Sequence, residues 1–336
     1  MRYSASEKQE LIDIVVRSEI GVNKTLKEIG LNKSTFYNWY KVYSEEGIDG
    51  LAPSKRTSNK QWNSIPQEEK NLIVELALDY PHLSSRELAY KLTDEQQIFI
   101  SESSVYRILK ARGLITAPSH ILLSAADEFT NKTGFVHQMW QTDFTYFKIL
   151  GWGWYYLSTV LDDFSRYIVH WELCEGMKVQ DVKRTVDRAI IKAKLVTKQR
   201  PRLLSDNGSC YIASELKNYL KDNYDMDQVH GRPMHPQTQG KIERYHRTMK
   251  NVVKLDNYYC PEELVRALEI FVNTYNNERY HESLKNLTPA DVYYGRGEFI
   301  LNEREKIKQK SLKQRKESYE KMKKQQKNQK NNLVLN

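Results

Sequence analysis

Residues 140–149 place Trp140, Thr142, Phe144 and Tyr146 on one side of an extended chain, and Gln141, Asp143, Thr145 and Phe147 on the other. That alternation predicts a mid-sheet strand with Asp143 pointing off one face. A turn, Leu150-Gly151-Trp152-Gly153, leads to a second strand-like run over 154–162, and 167–173 continues the meander. Val182, Val186, Ala189, Ile190 and Ala193 form a helical stripe within 179–195, and the short apolar run 202–205 follows as a parallel crossover would. The predicted order is strand, strand, strand, helix, strand, helix, strand, helix, which is an α/β domain. Trp152, Trp154, Trp171, Tyr155, Tyr156 and Tyr167 are read as core or sheet-face packing rather than base-stacking platforms.

Three carboxylates stand out against this frame. Asp143 would be costly to bury alone. Asp206 closes the run 202–205 at a strand's carboxyl end, where open α/β sheets put their sites, although Asp206-Asn207-Gly208 equally suits a plain turn. Glu243 shares a predicted helix face with Arg247 and Lys250 at i, i+4 and i+7; the same spacing also describes an ordinary salt-bridged surface helix. Pro233 and Pro236 mark the segment before that helix as an irregular loop. Acids from two strands and a helix could converge on hard cations.

The motifs Trp140-Gln141-Thr142-Asp143-Phe144-Thr145, Leu161-Asp162-Asp163-Phe164-Ser165-Arg166, Ser205-Asp206-Asn207-Gly208-Ser209 and Gln239-Gly240-Lys241-Ile242-Glu243-Arg244 occur in this order. Together with Lys250, seven positions after Glu243, they resemble the core motifs of the integrase-core (Asp-Asp-Glu) transposases of bacterial insertion sequences, relatives of retroviral integrases. The resemblance implies a ribonuclease-H-like core, with Asp143, Asp206 and Glu243 as catalytic and metal-holding residues. It also implies two Mg2+ ions, with Mn2+ able to substitute, for in-line phosphoryl transfer that cleaves DNA strands and joins them to target DNA. Two departures are visible: the interval from Asp206 to Glu243 is one residue longer than the family's commonest, and the His/Cys zinc module of the retroviral relatives is absent. Asp162 and Asp163 stay outside the catalytic set, because in the family the matching segment closes a turn in which Ser165 and Arg166 satisfy the carboxylates. His230, His235 and His246 are read as DNA contacts or loop packing rather than ligands.

Upstream, Ser4-Ala5-Ser6-Glu7 is a capping-box pattern opening a helix with Leu11, Ile14 and Val15 on one side. Leu26 and Ile29 mark a second helix, Gly30 a break, and a third carries Phe36, Trp39 and Tyr40 inward. This is helix-turn-helix spacing. Its outer face would offer Lys33, Ser34, Thr35, Tyr37, Asn38 and Lys41 to a DNA groove; a three-helix bundle for protein contacts is the alternative. Lys55 and Arg56 lie in a turn-rich linker where they could track phosphates. A second module repeats the plan, with Leu72, Ile73 and Leu76, a capping box at Ser84-Ser85-Arg86-Glu87, and a helix over 102–112. That last helix turns Val105, Ile108 and Leu109 inward and Ser103, Ser104, Tyr106, Arg107 and Lys110 outward. With Arg247 and Lys250, these outward residues complete the predicted DNA-binding set.

The net charge of +9 is concentrated in 302–336, where 12 Lys/Arg stand against 4 Asp/Glu, so basic character must be argued locally elsewhere. Few apolar anchors there predict a solvated helix or disorder. Cys174, Cys210 and Cys260 lack metal-ligand or disulfide-framework spacing. The amino terminus lacks a signal-peptide apolar region and no run suits a membrane span, which predicts a soluble, cytoplasmic protein, nucleoid-associated when on DNA.

The expected organisation is multidomain: a helix-turn-helix module (1–46), a linker (47–64), a second, winged-helix-like module (65–115), a connector (116–135), the ribonuclease-H-like core (136–300) and a basic tail (301–336). The expected function is a DNA transposase acting on double-stranded element ends and target DNA, at least a dimer when two ends are synapsed. A catalytically inactive, sequence-specific DNA-binding regulator is the alternative.

Overall fold

The structure is a computed structural model that describes residues 3–18, 20–52, 61–115, 133–195, 200–230 and 239–334, with side chains of the last helix described to residue 325. The chain divides into two units, Met1–Gln61 and Trp62–Asn336. Among the described residues no helix is long and apolar enough to cross a membrane.

The first unit holds α1 (Ala5–Arg17), α2 (Val22–Ile29) and α3 (Lys33–Gly50). Ser4 accepts from the Glu7 amide while the Glu7 carboxylate accepts from the Ser4 amide, the expected capping box. Gly30, at φ +73°, ends α2 in the left-handed region, and Gly47, at φ +70°, breaks α3 near its end. The core is Ile12, Val15, Leu26, Phe36 and Leu51. Ile12 thus replaces the expected Ile14, which is exposed. The sequence offers overlapping apolar stripes on α1, and contact with α2 and α3 selects the one through Ile12 and Val15. Tyr40, expected inside, lies exposed, stacked on Phe36 at 5.8 Å.

The second unit opens with α4 (Gln67–Asp79), α5 (Ser85–Gln96) and α6 (Glu102–Ala111) around Ile73, Leu88, Leu92, Ile100, Val105 and Leu109. The Ser84–Glu87 capping box is present. There follow β1 (Met139–Ile149), β2 (Gly153–Asp162), β3 (Ile168–Cys174), α7 (Val179–Ala193), β4 (Arg202–Ser205), α8 (Ser209–Ile212), α9 (Ser214–Tyr224), β5 (Gln228–His230), α10 (Gly240–Val253), α11 (Pro261–Asn277), α12 (Pro289–Tyr293) and α13 (Gly297–Val334). The five strands lie in the order β3-β2-β1-β4-β5, with β1–β3 antiparallel and β4 and β5 parallel to β1. This is the ribonuclease-H-like arrangement.

Alternation along β1 sorts the core into two layers. Trp140 and Phe144 pack with α7, α8 and α9, while Phe147 and Ile149 pack with α10 and α11. Asp143 has the parity of the α10 side.

Two expectations fail here. Trp152 and Trp154 are 60 % and 51 % exposed, not core, because Trp152 lies in the turn and Trp154 projects from the hairpin face opposite Phe147 and Ile149, which α10 and α11 cover. Trp171 and Tyr155 do pack against the α10–α11 layer. The stretch beyond residue 300 is not solvated throughout: Arg304, Ile307, Ser311 and Arg315 are buried along one face of α13. Arg304 grips both Asp94 oxygens at 2.7 Å and donates to the Asn286 carbonyl at 2.9 Å, and its guanidinium lies 4.8 Å from the Tyr90 ring centre. Arg315 donates to Glu69 at 2.6 Å and the Phe99 carbonyl at 2.7 Å. An anchoring face made of arginine and serine carries no hydropathy signal.

Candidate active site

Parallel pairing of β1 with β4 matches Trp140 to Leu203 and Gln141 to Leu204. That pairing ends two residues short of Asp143 on β1, and Asp206 follows immediately after the end of β4. Burial, then the Asp206 charge and, more weakly, that of Asp143, push the Cys210 thiol upward. Both carboxylates therefore act on the same spot at the start of α8. Asp206 is exposed and its Oδ1 accepts from the Gly208 amide at 2.9 Å, the turn its residue types suit. Asp143 Oδ1 accepts from the Phe144 amide at 2.8 Å, and Oδ2 lies 3.3 Å from Nδ1 of the buried His246.

Helix α10 runs along β1 on two rungs. The Ile242 amide donates to Gln141 Oε1 at 3.0 Å, and His246 meets Asp143. The first rung supplies a partner to an amide in the first turn, where helices leave amides unpaired. Lys241 adds a third tie, donating to the Asp163 carboxylate and, at 2.9 Å, to the Asp163 carbonyl. Asp163 also accepts from Gln141 Nε2 at 2.7 Å and Thr133 Oγ1 at 2.6 Å. Burial, and then Arg166, hold the Lys241 ammonium below the usual lysine range, against the pull of Asp163.

These ties fix the rotation of α10. At about 100° per residue, Lys241 and Glu243 leave Ile242 on opposite flanks, and Lys250 returns to within about 20° of Glu243. Lys241 faces Asp163 at the end of β2, so Glu243 and Lys250 occupy the other flank, the β4 side of β1. Lys250 stands there 4.8 Å from the Tyr146 ring centre, and Asp143 bears on its charge. Burial first and Lys254 second hold the Lys250 ammonium below the usual range. Glu243 itself is exposed. Among the described residues no three His, Cys, Asp or Glu side chains stand together closely enough to hold a metal ion.

The neighbouring acids behave as the turn reading expects, with one change of partner. Ser165 satisfies Asp162 through its amide at 2.9 Å and its hydroxyl at 2.6 Å, and the His137 amide adds 2.8 Å. Arg166, however, donates to the Asp163 carbonyl, while Lys241, Gln141 and Thr133 take the carboxylate. No spacing rule announces that link, because its partners lie on separate elements. His246 could have been suspected, since it falls one turn after Glu243.

Of the predicted DNA-reading residues, Lys33, Ser34, Tyr37, Asn38 and Lys41 are exposed along α3, with Thr35 half-buried. On α6, Ser103, Arg107 and Lys110 are exposed while Ser104 and Tyr106 are half-buried. Arg107 is folded back onto the Ser103 carbonyl at 3.0 Å. Lys55 and Arg56 lie outside the described residues, as does His235. His230 Nδ1 lies 3.3 Å from both Ser205 Oγ and the Asp206 carbonyl, so it packs at the strand end. Arg247 is exposed.

Family models of the integrase core domain match residues 136–236 and 224–289. The chain carries an integrase core. A homeodomain-like domain model matches residues 35–109, ahead of that core. The chain is similar to the transposase for transposon Tn552 of Staphylococcus aureus, 23% identical over 274 residues that make up 74% of this chain and 56% of that protein. It is also similar to the insertion element IS1223 uncharacterized 20.7 kDa protein of Lactobacillus johnsonii, 26% identical over 32% of this chain and 52% of that protein. The chain thus spans about half the length of these two relatives. Among solved structures, the HTLV-2 integrase catalytic core domain in complex with magnesium matches 47% of this chain and 97% of its own, at 19% identity and TM-score 0.39. The simian T-cell lymphotropic virus intasome in complex with PP2A regulatory subunit B56 gamma matches 66% of this chain and 74% of its own, at 18% identity and TM-score 0.43.

Proposed function

We propose that this chain is a DNA transposase that binds the ends of its mobile element and uses Asp143, Asp206 and Glu243 to cut and join DNA strands. What supports the reading is the parallel pairing of β1 with β4 just ahead of Asp143 and Asp206, together with the ties that lay α10, which bears Glu243, along β1. The donor chemistry suits Mg2+, because carboxylates offer hard oxygen ligands, and the three acids would have to draw closer together than they stand here to share an ion. When bound, a pair of such ions supplies activation of the attacking oxygen and charge stabilisation at the leaving 3′-oxygen.

The chain's own residues do the rest. His246, buried against Asp143, fixes the orientation of that carboxylate. Gln141, Asp163 and Lys241 hold the first turn of α10, and with it Glu243. Lys250 and Arg247 offer positive charge to the phosphate beside the acids. The exposed faces of α3 and α6 serve recognition of the element ends, and synapsis of two ends calls for at least a dimer on DNA.

The test incubates the full chain with the DNA flanking its own locus, Mg2+ and a supercoiled target plasmid. Covalently joined 3′ ends in the plasmid are expected. Cleavage without joining would make it a nuclease, and end binding with neither reaction would leave an inactive DNA-binding regulator.

A further inference from the structure

The β1–β2 hairpin extends past β4. Pairing between β1 and β4 is recorded only over Met139–Gln141, whereas β1 continues to Ile149. Along that farther part, Tyr146 pairs across to Tyr156 and Lys148 to Trp154. All four side chains therefore project from one face of the hairpin. Tyr146 and Trp154 are half-exposed and meet edge to face, with ring centres 5.4 Å apart. Beside β1, the end of α10 brings two ammonium groups over the same ring: Lys250 at 4.8 Å and Lys254 at 5.6 Å from the Tyr146 centre.

We propose that this face is a platform for an unpaired DNA strand, with a base stacked on Trp154 and Tyr146 and its phosphates met by Lys148, Lys250 and Lys254. The proposal rests on the transposase reading and assigns a further binding surface to that site. Exposed aromatics interleaved with lysines are what a single strand needs, a π-face for the base and mobile cations for the backbone. The charge argues against a second copy of this chain as the occupant, since closing an apolar interface here would strip water from three ammonium groups without supplying an anion. Position adds to the case. Tyr146 lies three residues beyond Asp143 on β1, about 10 Å along the strand and on its opposite face. Lys250 bridges the two, touching the ring while lying within the influence of the Asp143 charge. A strand opened at the acids would reach this surface by passing the edge of β1 that β4 leaves free, where Lys250 stands.

The test measures binding of the full chain, in EDTA, to a blunt duplex and to the same duplex with a short 3′ single-stranded extension carrying 2-aminopurine. The extension should tighten binding and quench the 2-aminopurine. Trp154→Ala and Tyr146→Ala should each weaken binding of the extended duplex about tenfold and relieve the quench, with blunt-duplex affinity unchanged. Trp154→Phe should restore part of both, and Phe299→Ala, at an exposed aromatic elsewhere, should change neither. Thermal melting of each variant identifies any that fails to fold, and the Phe variant then carries the comparison. Equal losses on both duplexes, no loss on either, or a change in sedimentation without a change in DNA binding would each overturn the platform. Because the assay runs without metal, a chain that binds the extension but joins no DNA would sink the transposase reading and leave the platform standing.

Discussion

His246 on α10 sets Nδ1 3.3 Å from Oδ2 of Asp143 on β1, and both side chains are largely withdrawn from solvent. The contact joins the helix that bears Glu243 to the strand that bears Asp143, so the orientations of the two acids are not independent. Replacing His246 with Ala should leave Asp143 free to turn and open a gap between α10 and β1. The expected result is a higher Mg2+ concentration for half-maximal joining and a melting temperature lowered by several degrees, for a loss of about 2 kcal/mol.

Asp143→Asn should reduce Mg2+-dependent cleavage and joining about a thousandfold, the scale of several kcal/mol of lost charge stabilisation. Binding to element ends, measured by gel shift, should stay within about threefold. Glu243→Gln should behave alike. Retained cleavage with lost binding would overturn the division of labour between the core and the helical modules.

Lys241 and Asp163 should act as one device. Lys241→Met leaves Asp163 buried with fewer partners, and Asp163→Asn leaves Lys241 part-buried beside Arg166. Either should destabilise by about 2–3 kcal/mol, and the double variant by less than the sum. Hydrogen exchange at the Ile242 amide gives a local readout. Its protection comes from Gln141, and loosening the first turn of α10 should speed exchange about fivefold or more.

Arg107→Ala should weaken binding of element ends about tenfold through loss of a contact from α6. Lys250→Ala should mainly slow strand joining. Gel shift and a strand-transfer assay separate the two effects.

The clamp between Arg304 and Asp94 predicts that Arg304→Ala costs about 3–5 kcal/mol, because it strands a carboxylate and a ring-lined cavity. Arg304→Lys should recover little, since lysine cannot span both oxygens and the Asn286 carbonyl. Urea unfolding checks both.

Stability should also fall on acidification. Burial holds the His281 imidazole down to about 3 and His170 to about 4, from an ordinary value of 6.5. The unfolded chain binds these protons first, so both contributions are complete above about pH 6.5 and shrink below it, by up to about 1.4 kcal/mol per pH unit for each group. Denaturation at pH 7.5 and 5.5 should show a smaller difference for His281→Gln than for the unaltered chain.

Local sequence settled whatever depends on chain periodicity and capping. The alternation of 140–149, the stripe in 179–195 and the boxes at Ser4 and Ser84 are short-range patterns whose energetics lie within one element, and each appears where it was expected. The order of motifs also proposes Asp143, Asp206 and Glu243 as a set, which the joining assay tests. Tertiary structure alone decided which of several equivalent stripes on α1 is buried, that Trp154 stands in solvent, and that an arginine face anchors α13. It alone decided, too, that Asp163 belongs to Lys241 rather than to Arg166. Each of these depends on which distant surface arrives to cover a side chain or complete its hydrogen bonds. A charged residue looks the same in sequence whether it faces water or a buried partner far along the chain.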